Sequence, residues 1–147
     1  MVEHFFQFVG PRDILNKAHR DLARLHSDPN IDTVFDFFVT AYHVMDYVKA
    51  LGTVPATSLD SLYAEEDFQM CQYICNKGKH LALRRGDSYE THRRPGAALG
   101  DFTLGETPLG ADPAYLVIGD SGQVNVVDLA DRIFDRWEAF FRDNAIS

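Results

Sequence analysis

The chain has 147 residues, 46% of them hydrophobic and 12% aromatic, and 22 acidic against 14 basic side chains give a net charge of −8. This excludes a disordered chain, which lacks the apolar surface needed to offset ordering entropy, and it suits one domain of ~100–200 residues spanning 1–147. The acidic balance argues against a general nucleic-acid coat or an anionic-membrane binder, since both need positive faces.

In chain order, residues 3–9 (EHFFQFV) read as a short strand or extended arm ending at Gly10-Pro11. The first ten residues carry no basic n-region, and Glu3, His4 and Gln7 interrupt their apolar run, so no signal peptide is expected. No run of ~20 apolar residues exists to span a bilayer. Pro11 suits a first helical turn, and Ile14, Leu15, Ala18, Leu22 and Leu25 follow at helical spacing, predicting a helix over 12–27. Asn30 is the expected N-cap of a second helix over 31–51, ended by Gly52. Ile31, Val34, Phe35, Phe38, Tyr42, Met45 and Val48 make its apolar stripe, with Phe37, Val44 and Leu51 as a second flank. So broad an apolar surface predicts a central position. Its narrow polar stripe is Asp32, Asp36, Thr40, His43 and Asp46.

Residues 52–60 read as a loop, with Leu59 and Leu62 as anchors of a short turn. A third helix is predicted over 64–84, with Glu65, Glu66 and Asp67 in its first turn, where the helix dipole favours negative charge. Cys71 and Cys75 lie four apart on one of its faces and are expected as buried free thiols of a reducing, cytoplasmic compartment. The segment from 86 to 113 is rich in Gly and Pro and reads as a long loop, the most mobile internal segment expected, with room for a short strand at 101–104. Residues 115–118 and 124–127 predict a β-hairpin around a GDSG turn. A last helix over 128–144 follows, capped by Asp128, with intrahelical pairs Asp128–Arg132 and Glu138–Arg142. The fold class is therefore α+β, a bundle of about four helices with a β-hairpin before the C-terminal one. Trp137, Phe134, Phe38, Tyr42 and Cys75 are expected in its core.

Three polar groupings are candidates for function. His43 and Asp46 share a helix face, as a carboxylate-oriented imidazole for acid–base work or as part of a solvated stripe. Asn76, Lys79 and His80 flank Gly78, whose missing side chain suits close packing by a neighbouring helix or the approach of a ligand. If these two sets face each other, His43, Asp46, Asn76, Lys79 and His80 form one pocket. Arg84, Arg85, His92, Arg93 and Arg94 make a local basic cluster, as phosphate contacts or as dipole compensation and solvated loop. His43, Asp46 and His80 could be drawn together as metal ligands, but their spacing specifies no site, and neither a metal nor a cofactor is expected. No nucleophile elbow, P-loop, dinucleotide fingerprint or zinc-protease motif is present.

Three segments, FDFFVTAYHVMDYV (35–48), CNKGKHL (75–81) and VVDLADRIFDRWEAFF (126–141), resemble in the same order a group of small uncharacterised bacterial proteins. Tyr47 stands where that group tends to have Trp, and the resemblance brings no established activity. More distantly, Asn76 and His80 resemble the Asn and His of HEPN domains, helical bundles that include metal-independent RNases. Their motif places an Arg before that Asn, and Cys75 stands there instead. Arg85 and His92 match only the motif's bare spacing. The expected function is a non-catalytic interaction or regulatory module whose partner is another protein or a second copy. The alternative is a degenerate HEPN-like RNase in which His80 acts as acid or base, beside Asn76 and the nearby cations.

Overall fold

Chain order is α1 (Pro11–Ser27), α2 (Ile31–Leu51), α3 (Ala56–Tyr63), α4 (Glu66–His80), β1 (Glu90–Arg94), β2 (Ala114–Gly119), β3 (Gly122–Asn125) and α5 (Val126–Asp143). The structure, a computed structural model, describes residues 4–81, 89–94 and 114–147. The fold is the α+β, mainly helical one read from the sequence, with the hairpin directly before the last helix.

The N-terminal segment, expected as a short strand or extended arm, is instead a tight hook. A strand needs a neighbour for its backbone groups, and here Phe5 and Phe8 exchange both hydrogen bonds with each other, at 2.9 and 2.8 Å. Phe6 at the tip has φ +51. The Asp13 carboxylate fastens the hook to α1 by accepting from Val9 N at 2.8 Å and Gly10 N at 3.0 Å. These two N–H groups hold its carboxyl below the usual range.

Helix α1 lays Ile14, Leu15, Ala18, Leu22 and Leu25 into the core. The turn after it is fixed by Asn30, whose side chain accepts from Asp32 N and Thr33 N, while Thr33 Oγ1 accepts from Asn30 N. Gly52, with φ +76, closes α2 in the left-handed conformation that glycine adopts without a Cβ clash. Helix α2 packs on α1, α4 and α5, the central position its breadth of apolar residues predicted. Its buried face is Val34, Phe37, Phe38, Ala41, Val44 and Val48. Ile31, Phe35 and Leu51, expected on apolar faces, are exposed instead.

The expected 52–60 loop contains the two-turn α3, which starts just after Pro55 and is anchored by buried Leu59 and Leu62. Helix α4 is shorter than the expected 64–84. It stops at Leu81, whose N–H closes on Lys77 O at 2.8 Å while its φ of +58 turns the chain away. The expected long loop is also interrupted. Within it β1 pairs antiparallel with β2, making a three-stranded sheet of order β1-β2-β3. Its sequence, ETHRR, lacks the apolar alternation that marks a half-buried strand, because nearly all of it is exposed. The strand expected at 101–104 lies outside the described residues.

Helix α5 begins two residues before its expected start. Asn125 caps it by accepting from Val127 N at 2.8 Å, so Asp128 is a first-turn residue and not the cap. Beside the expected pairing of Asp128 with Arg132, whose charge it still stabilises, α5 makes contacts across the bundle. Arg132 bonds Asp67, Arg136 bonds Glu65, and Glu138 pairs with Arg12 at 2.9 Å. Trp137, Phe38 and Cys75 are fully buried as expected, whereas Tyr42 and Phe134 are only partly so. Phe134 stacks on His19 at the surface. Among the described residues no helix is long and apolar enough to cross a membrane.

Candidate functional site

Helices α2 and α4 run antiparallel. Cys71 Sγ meets Phe38 O at 3.9 Å, and further along α4 Gly78 lies under the ring of Phe35, earlier in α2. This register separates the five residues expected in one pocket. His43 and Asp46 lie eight and eleven residues beyond Phe35, about 12 and 16 Å along the axis at a rise of ~1.5 Å per residue. Lys79 and His80 lie beyond Gly78, toward the opposite end. Among the described residues no hydrogen bond or ion pair joins the His43/Asp46 set to Asn76, Lys79 or His80.

Each set has its own local role. His43 Nδ1–H donates to Val39 O at 2.8 Å, one turn back, and its ring stands edge-on to Tyr42. Asp46 is exposed at a cleft of about 800 Å³ between α2 and the N-terminal hook, beside Phe5, Phe8, Tyr47 and Leu51. The polar stripe of α2 thus faces outward, except for Thr40. Asn76 is half-buried, and Lys79 and His80 are exposed. Cys75, where the HEPN pattern has Arg, is fully buried. Burial pushes the Cys71 thiol well up and raises that of Cys75. Among the described residues no group of three or more His, Cys, Asp or Glu side chains could hold a metal ion.

The basic cluster is divided too. Arg84 and Arg85 lie outside the described residues. Arg93 and Arg94 are successive residues of β1 and so point to opposite faces of the sheet. They do not make one clamp for a phosphate.

The geometry assembles a different site. Between the start of α2, the end of α4 and the sheet lies a cleft of about 510 Å³. Its walls are Ile31, Val34 and Phe35 from α2, Ile74 and Leu81 from the α4 end, Leu116 from β2 and Val126 from α5. Ile31 is 65% exposed and Leu81 82%, large values for aliphatic side chains beside an apolar hollow. Gly78 is part of the floor. A Cβ there would stand 2.7 Å from the Phe35 ring, so the glycine admits a side chain of the neighbouring helix, not its backbone. Lys77, His92 and Arg93 also line the cleft, and no acidic residue is part of its lining among the described residues. Leu81 holds a positive φ, which costs a non-glycine residue roughly 1–3 kcal/mol and is kept only where the surroundings impose it.

Sequence periodicity misses this site because it treats every apolar position of α2 as core. One further missed feature is the environment of Asp21. This carboxylate is fully buried between α1 and α2. Its Oδ2 accepts from Lys17 Nζ at 2.6 Å and from the Thr40 hydroxyl at 2.7 Å, and Arg24 pairs with Oδ1. The signal was present as Lys17, Asp21 and Arg24 at helical spacing, opposite the one polar residue of α2 that turns inward.

Comparison of the chain with family models, curated proteins and solved structures finds no match.

Proposed function

We propose that this chain is a non-catalytic binding module that takes an apolar ligand into the cleft between α2, α4 and the sheet. One observation carries this. Ile31, Phe35 and Leu81, three of its exposed large apolar side chains, converge on a single hollow. Its size falls within the ~300–1,000 Å³ usual for small-molecule sites, and its mostly apolar wall with a few polar groups is also usual for them. The strained backbone of Leu81 at the rim is a further support, since strain of this kind collects at functional sites.

Two substitutions separate binding from folding. Leu81→Gly relieves the positive φ and removes an exposed wall of the cleft. It is expected to leave stability unchanged or raise it by about 1 kcal/mol. Ile31→Asp places a carboxylate in the first turn of α2, where the dipole favours it, and directly on the cleft. The probe is 8-anilinonaphthalene-1-sulfonate, followed by fluorescence. Saturable binding to the native chain, weakened at least about fivefold by each variant, is expected, a step of ~1 kcal/mol. Unchanged binding in both variants would remove the cleft from the account.

Because Cys75 is buried and His80 is separated from His43 and Asp46, mixed RNA incubated with the purified protein is expected to stay intact. Cleavage that disappears in His80→Ala would overturn the binding-module reading in favour of an RNase.

A further inference from the structure

We propose that the ligand of this cleft is a single-chain amphiphile with an anionic headgroup, its alkyl chain along Ile31, Phe35 and Leu81 and its headgroup at Lys77 and His92. This rests on the binding-module reading and names its ligand class. The charge pattern carries it. The chain as a whole is at −8, yet the ionisable groups lining this cleft among the described residues include Lys77, His92 and Arg93 and no carboxylate. Some acidic side chains elsewhere are paired with cations, Asp67 with Arg132, Glu65 with Arg136 and Asp21 with Lys17 and Arg24. Among the described residues Lys77 and His92 have no ion-pair partner. An apolar wall edged by the Lys77 ammonium and the His92 ring N–H fits a molecule with one long apolar part and one negative end. The cationic edge then orients the ligand, and the wall supplies most of the affinity at a roughly constant increment for each methylene buried. A hollow of about 510 Å³ holds one such molecule, and the net negative charge disfavours an anionic bilayer as the source.

The test is isothermal titration of the full chain with hexanoate, octanoate and decanoate below micelle formation, beside decanol and decylamine. Saturable one-to-one binding is expected, tightening about fourfold for each added methylene. Decanoate is expected to bind about fivefold or more tightly than decanol, with decylamine weakest. In the Lys77→Gln/His92→Gln double variant the advantage of decanoate over decanol should vanish while decanol binding persists. His92 is exposed and Lys77 only half-buried, and neither belongs to the core, so the fold is retained. Equal binding of decanol and decanoate to the native chain would overturn the anionic headgroup and leave the apolar cleft standing. A carboxylate preference that survives the double variant would overturn the placement of the headgroup at Lys77 and His92. Affinity that does not grow with chain length overturns the alkyl assignment. Binding of no chain, while anilinonaphthalenesulfonate still binds and responds to Ile31→Asp, overturns this ligand class alone. Loss of that response as well overturns the cleft itself.

Discussion

Trp137→Ala is expected to lower folding stability by about 3–5 kcal/mol, the range for a large aromatic side chain truncated inside a core. Trp137 has no exposed surface, and it is the largest of the fully buried side chains. Phe68, Phe140, Phe141 and Tyr63 surround its ring edge-on, with centroids 5.4 to 6.1 Å away. Its indole N–H donates to Ala41 O at 3.0 Å, in the middle of α2. Truncation therefore opens a cavity where α5, α4 and α2 meet and removes the indole's hydrogen bond to a carbonyl that keeps only its helical N–H. The surrounding rings are themselves fixed by packing and cannot collapse into the space. Equilibrium urea melts of the two proteins measure the difference. A loss under ~1 kcal/mol would contradict this placement of the core.

The second large effect comes from the buried carboxylate of Asp21, and it is asymmetric. Asp21→Ala removes the charge together with its bonds. Lys17 and Arg24 are 36% and 56% exposed and can turn to water, so the cost is expected near 2 kcal/mol, mostly the lost charged hydrogen bonds. Removing both cations instead, in Lys17→Ala/Arg24→Ala, leaves a carboxylate with no exposed surface and only the Thr40 hydroxyl as donor. That double variant is expected to lose about 3–5 kcal/mol, because an uncompensated buried charge costs more than the missing pair contributed. Restoring the balance by adding Asp21→Ala to the double variant should recover part of the loss. Thermal or urea unfolding of the three variants checks the order. A double variant milder than Asp21→Ala would contradict the burial of this group.

Where local sequence decides local structure, the fold was legible. Asn30 and Gly52 carry the capping chemistry that starts and stops α2, and both bounds of that helix follow from them. Gly119 and Gly122 bracket a two-residue turn, and the hairpin follows. Burial across elements was legible only in part. Periodicity marks Ile31 and Phe35 as apolar, but whether they face a neighbour depends on where α4 ends and where the sheet lies. Strand β1 owes its existence to the edge offered by β2, and nothing in ETHRR announces it. Asp128 and Asn125 are both good cap residues, and the position where β3 releases the chain decided between them. The candidate site suffered most from this. His43, Asp46, Asn76 and His80 were grouped by residue type and shared helix faces, and the antiparallel register of α2 and α4 separates them. The cleft is built from residues that each looked ordinary: an apolar stripe, a helix glycine, a last-turn lysine and a strand histidine.

Backbone amide mapping of the uniformly ¹⁵N-labelled full chain during titration with decanoate tests the central claim most directly. The account predicts progressive, saturable shifts concentrated at Ile31, Phe35, Lys77, Gly78, Leu81, His92 and Leu116, with the amides around Phe8, Asp46 and Leu51 unmoved. Shifts centred on the N-terminal hook and the end of α2, or none at all at saturating decanoate, would contradict it.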